Sequence, residues 1–134
     1  MDPGRVRVGV AVSDETRTIS QPHVTLRRRG DRELLEEISR LVRELQVGQI
    51  VVGLPLRMDG GQGQEAERAL LLGRKVGEVT GVPVVFADER LTSRQAEREM
   101  IAQGSSRRSR REAGDRVAAA LLLQAVLAGG ATTP

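Results

Sequence analysis

The sequence predicts a mixed α/β sheet with helices packed on its faces, and three observations carry that prediction. Apolar and polar residues alternate near the start, the spacing turns helical after residue 30, and two later apolar runs are joined by a helix through short connections.

In residues 5–12, RVRVGVAV, Val6, Val8, Val10 and Val12 share one face and Arg5, Arg7, Gly9 and Ala11 the other, the pattern of a half-buried strand. Asp14 and Glu15 form a turn, and an antiparallel strand follows around residues 24–28, after Pro22. Over residues 31–46, Leu34, Leu35, Ile38, Leu41, Val42 and Leu45 recur at helical spacing, with Asp31 as N-cap. Residues 49–52 make a short buried strand ended by Gly53 and Pro55, and MDGGQG, residues 58–63, is a mobile loop. A second helix covers residues 64–79 and stops at Gly81, and VPVVFA, residues 82–87, is another buried strand. Strand, helix and strand with short joints make a right-handed parallel crossover. Thr92 with Gln95 is a capping box for a helix running to Gln103, and SSRRSRR is a linker into a last helix over residues 112–128. Without internal repeats, the 134 residues make one domain.

The core must be aliphatic, because Phe86 is the only aromatic residue. The absence of cysteine excludes disulfides, a thiolate nucleophile and cysteine-ligated zinc, and the lone His23, structural or incidental, cannot build a multi-histidine site. No apolar run approaches the roughly 20 residues of a membrane span and no signal peptide opens the chain, so a cytoplasmic protein without membrane contact is expected. The net charge is +3, but residues 90–111 hold seven arginines against Glu97 and Glu99. Such a segment suits polyanions, and with so few aromatics any grip on nucleic acid must come from arginine and backbone rather than base stacking.

Asp2, Asp88 with Glu89, and Asp115 fall where this architecture brings chain ends together. Converging carboxylates repel unless a hard cation lies between them, and oxygen ligands suit Mg²⁺ or Mn²⁺. Acids at strand ends and helix starts also serve as turn formers and dipole partners, so both readings stand. The MDGGQG loop could cradle phosphate or be a plain flexible loop, since it lacks the lysine and hydroxyl of a P-loop. Arg107, Arg108, Arg110 and Arg111 form either a polyanion grip or a solvated linker. Thr92 and Ser93 cap a helix or touch a phosphate.

Taken together, DPGRVRVGVAVSD from Asp2, IVVGLPLRMDGG from Ile50, DERLTS from Asp88 and GDRVAAALLLQAVL from Gly114 resemble the YqgF (RuvX) family of Holliday-junction-resolvase-like proteins, also described as pre-16S rRNA nucleases. The resemblance implies a ribonuclease H-like fold with a five-stranded mixed sheet, its first three strands antiparallel and helices flanking it. It also implies a metal-assisted nuclease that matures the 5′ end of 16S rRNA. Matched residue by residue, the family's acidic positions fall on Asp2, Glu89 and Asp115, the expected catalytic residues and ligands of Mg²⁺ or Mn²⁺. Arg7, Arg90, Arg107, Arg108, Arg110 and Arg111 are expected on nucleic acid.

The chain departs from the family pattern where Met1 alone precedes Asp2, where Val6 replaces a basic residue and where Gly114 replaces an apolar one. The first strand is therefore expected to be a stub, or the start to lie further upstream. Glu89 also comes from a strand one place beyond the first strand's neighbour, roughly 10 Å away at about 4.8 Å per strand, so weak metal affinity is expected in the free protein. Two other functions fit the same residues. One is resolution of branched DNA, which needs a two-fold homodimer; the other is a non-catalytic RNA-binding assembly factor.

Overall fold

The computed structural model describes residues 1–92 and 107–134, with residues 107–110 described by backbone alone. In chain order it has β1 (Asp2–Pro3), β2 (Arg7–Ser13), β3 (Ser20–Arg27), α1 (Asp31–Glu44), β4 (Ile50–Leu54), α2 (Gln64–Thr80), β5 (Val84–Asp88), a 3₁₀ turn (Glu89–Leu91), α3 (Arg107–Leu127) and β6 (Thr132–Thr133). β1, β2 and β3 are antiparallel neighbours, β4 and β5 are parallel, and β6 lies antiparallel on β5.

The alternation of β2 decides the layering. Val8 and Val10 turn to one side and join Leu26, Val52, Leu54 and Phe86 in a core closed by Leu34 and Ile38 of α1 and by Ala66, Ala69, Leu72 and Val76 of α2. Val8, Leu34, Val52, Leu72 and Val76 are fully buried, each contributing roughly 1.5–3 kcal/mol. The opposite face of the strands is covered by α3, which buries Ala119, Ala120 and Leu122. This helix approaches closely because β2 has Gly9 beneath it: a Cβ there would coincide with the main-chain carbonyl of Asp115. Thr25 Oγ1 donates to the Glu112 carbonyl at 2.6 Å and Ser20 Oγ to the Ala120 carbonyl at 2.5 Å, tying α3 to β3.

Several expectations need correction. The strands form two three-stranded sheets, β1-β2-β3 and β4-β5-β6, instead of one five-stranded sheet. Two-residue β1 is too short to carry a ladder on both sides, and Met1, just before it, bonds to β4 through its amine on the Val51 carbonyl at 2.6 Å and its carbonyl accepting from Gly53 N–H at 2.8 Å. Val6 is 64% exposed and outside the core, because β2 begins at Arg7. Pro22 lies inside β3, at an irregularity where Val10 faces Val24 and Ala11 faces Pro22, leaving exposed His23 as the extra residue of a bulge. Gly30, not Asp31, caps α1. The last helix starts at Arg107, so the end of the expected linker is helical, whereas the helix expected from Thr92 to Gln103 lies almost wholly outside the described residues. The glycine-rich segment is a closed turn in which Arg57 N–H donates to the Gly61 carbonyl and Gly60 N–H to the Arg57 carbonyl, with φ 84° at Gly60. Among the described residues no helix is long and apolar enough to cross a membrane.

Candidate nucleic-acid cleft

The site lies on the face of the strands that α3 covers. Asp2 pairs with Gly9 across β1 and β2, so the two share a face, and Gly9 points at Asp115. Asp115 is well inside α3, not in its first turn, which removes the helix dipole as its reason for being there. Arg7, two residues before Gly9 and therefore on the same face, donates Nε–H to Asp115 Oδ2 at 2.6 Å. Burial pushes the Asp115 carboxyl above its ordinary 3.8; the Arg7 hydrogen bond and charge oppose that push, and the charge of Asp2 adds to it.

Glu89 reaches the same face from the end of β5. A Cβ at Gly53 would stand 2.9 Å from Glu89 Oε1 and 2.9 Å from Leu122 Cδ2, so glycine in β4 is what leaves space for the glutamate under α3. The Met1 amine lies nearby, and burial pushes it down from 8.0 to about 6 although Asp2 and Glu89 both favour its charged form. Asp88 instead turns away to Arg90: it accepts from the Arg90 main chain at 2.9 Å and pairs with its guanidinium at 2.6 Å. That hydrogen bond holds the Asp88 carboxyl below its usual range.

A cleft of about 860 Å³ opens between these strand ends and the Arg57 turn, and its lining includes Asp2, Glu89, Arg5, Arg57, Arg90 and Met58. Of the three expected ligands it takes in Asp2 and Glu89, while Asp115 stays with Arg7 outside the lining. Of the expected nucleic-acid contacts, Arg90 lines the cleft and Arg111 is exposed. The side chains of Arg107, Arg108 and Arg110 lie outside the described ones. Arg5 and Arg57 were not among the expected contacts, whereas Met58, 91% exposed, opens the MDGGQG loop considered above as a phosphate cradle. The available signal for Arg57 was its place just past the carboxyl end of β4.

The oxygen donors Asp2, Glu89 and Asp115 have the chemistry of a Mg²⁺ or Mn²⁺ site. Among the described residues, however, no group of three or more His, Asp or Glu side chains is gathered closely enough to hold a cation. The set fits in kind, with one Asp115 oxygen, Oδ2, held by Arg7.

The family model described as "RuvX: Holliday junction resolvase" matches residues 1–129. A protein of Caldanaerobacter subterraneus is 41% identical over 128 residues, 95% of this chain and 92% of its own length. One from Syntrophomonas wolfei is 41% identical over 130 residues, 97% and 92%, and one from Anaeromyxobacter dehalogenans 43% over 124 residues, 92% and 90%. All three carry the name "Putative pre-16S rRNA nuclease".

Proposed function

Because the chain belongs to the RuvX family, whose model spans residues 1–129, we propose that it is a metal-dependent endonuclease that hydrolyses phosphodiester bonds of structured RNA in maturing the 5′ end of pre-16S rRNA. The observation that carries this reading is the cleft in which Asp2 and Glu89 open beside Arg5, Arg57 and Arg90. Acids that could hold a hard cation and arginines that could hold a phosphate backbone line one groove. The antiparallel β1, β2 and β3 followed by parallel β4 and β5 support a ribonuclease H-like arrangement of one domain.

Asp2, Glu89 and Asp115 would hold Mg²⁺ or Mn²⁺, which when bound would activate water and stabilise the leaving oxygen. The protein's own part is placement. Arg90 comes close to Gly60 and Arg57 to Gly61 of the same turn, and both would take backbone phosphates, while glycine at position 53 leaves room for the Glu89 carboxylate beside Leu122 of α3. Arg111, exposed on α3, would add positive charge for flanking backbone. The test is cleavage of a precursor 16S rRNA fragment: the wild type is expected to cut it in Mg²⁺ or Mn²⁺ and Asp115→Asn, shown to be folded, to lose at least about a hundredfold in rate. Equal cutting by both would refute the assignment.

The description of the family model favours a second substrate, the four-way DNA junction. Two symmetric cuts need a two-fold dimer. A monomer in sedimentation with junction DNA present would leave RNA as the substrate.

A further inference from the structure

We infer that Arg7 and Arg27 form a phosphate fork for the nucleic-acid backbone, closed at rest by Asp115 and Glu112 of α3, and that a phosphate entering it releases Asp115 to a divalent cation. The inference rests on the nuclease reading above and deepens it.

Arg7 and Arg27 stand directly opposite each other across β2 and β3. Such pairs share a face with Cβ atoms about 4.5–5.5 Å apart, and like charges in that position repel. Two anions are needed to hold them. α3 supplies both from one face, Asp115 at 2.6 Å from Arg7 and Glu112 at 3.5 Å from Arg27. A guanidinium meets carboxylate and phosphate oxygens with the same fork geometry, so the two acids mark positions that phosphate oxygens can take. The arginines keep 29% and 44% of their side-chain surface exposed, so a strand can reach them. Arg116, whose NH1 donates to Thr25 Oγ1 beside them, and exposed Arg111 leave the group positively charged even with both acids in place.

The two arms do different work. The Arg27 pair is long and exposed, and gives way easily. The Arg7 pair is short and holds an expected metal ligand, so a cation arriving at Asp115 meets the guanidinium at hydrogen-bond distance and is repelled. A phosphate that draws Arg7 away removes that repulsion and adds negative charge nearby. Metal and nucleic acid then strengthen each other's binding by the same factor.

The test is calorimetric titration of the full chain with Mn²⁺, with and without a saturating short RNA duplex protected by phosphorothioates. In the wild type the duplex is expected to raise Mn²⁺ affinity on the order of tenfold, within the usual range of such couplings. Arg7→Gln is expected to bind Mn²⁺ several-fold more tightly than wild type without RNA and to gain nothing further from the duplex. Arg27→Gln, at an exposed position that should not threaten folding, is expected to weaken duplex binding and reduce the duplex's effect on Mn²⁺ while leaving Mn²⁺ binding alone unchanged. Wild-type behaviour of Arg7→Gln in both titrations, undiminished duplex affinity of Arg27→Gln, or no Mn²⁺ binding by any form overturns the fork. If the wild type still cuts precursor rRNA and Asp115→Asn does not, only the fork has failed; if Asp115→Asn cuts normally, the nuclease assignment itself has failed.

Discussion

Gly9 sets how closely α3 can lie on the sheet, and with it the position of Asp115. Because a Cβ there would coincide with the Asp115 carbonyl, Gly9→Ala must lift the helix or bend β2. Backbone cannot yield as a flexible side chain does. We expect a loss of about 2–3 kcal/mol in urea unfolding, the cost of overpacking a close contact, together with reduced cleavage. A stability within about 0.5 kcal/mol of wild type would contradict this account of the helix seat. Gly73 has a related role on the other face, where a Cβ would come within 2.5 Å of the Phe86 ring. At this scale the sequence was informative about faces: it placed Gly9 and Arg7 together, away from the valines. It could not show that their face meets a helix, because that depends on Asp115, more than a hundred residues away, and no local spacing encodes the encounter.

Asp31 shows how separate elements are joined by one side chain. Expected as an N-cap, it stands inside the first turn of α1 and accepts from Lys75 of α2 at 3.2 Å and from Arg28 at the end of β3 at 3.3 Å. The Lys75 hydrogen bond first, and Arg28 after it, hold its carboxyl below the ordinary 3.8. A depressed carboxyl contributes stability above its unfolded value, and that contribution is lost as pH falls through the folded one. Asp31→Asn should therefore be less stable than wild type at neutral pH, by no more than about 1 kcal/mol for so exposed a group. In thermal melts the difference should close as pH falls below 3.8. A gap that stays constant into strong acid would show that the charge is not what matters. The long periodic helices α1 and α2 were legible for the reason that they bury a stripe. β6 was not, since Thr132–Thr133 offers no alternation and no apolar signal, and β1 was expected, as a stub, only through the family resemblance. The start of α3 was misplaced because a run of arginines suggests a solvated linker, although arginine is a good helix former.

Across the whole molecule, the candidate site is assembled from chain segments that share no motif. Asp2 comes from β1, Arg57 from the turn after β4, Glu89 from the end of β5 and Asp115 from α3. The three acids could be matched through family resemblance, because each sits in a recognisable short segment. Arg5 and Arg57 lie in those segments but the resemblance assigned them no role, and Arg27 lies in none of them, so its place opposite Arg7 comes from strand register. The same assembly explains the arrangement of charge: a modest net +3 conceals arginines drawn from distant segments to one cleft and to the fork beside it. The central claim is that Asp2 and Glu89, which meet in that cleft from two different sheets, act as one unit. Single-turnover cleavage of a precursor 16S rRNA fragment by Asp2→Asn, Glu89→Gln and the double variant tests it most directly. The account predicts that each single change costs at least about a hundredfold and that the double variant is scarcely slower than either, as for residues acting together. Cleavage at the wild-type rate by either single variant, or losses that simply multiply in the double, would contradict it.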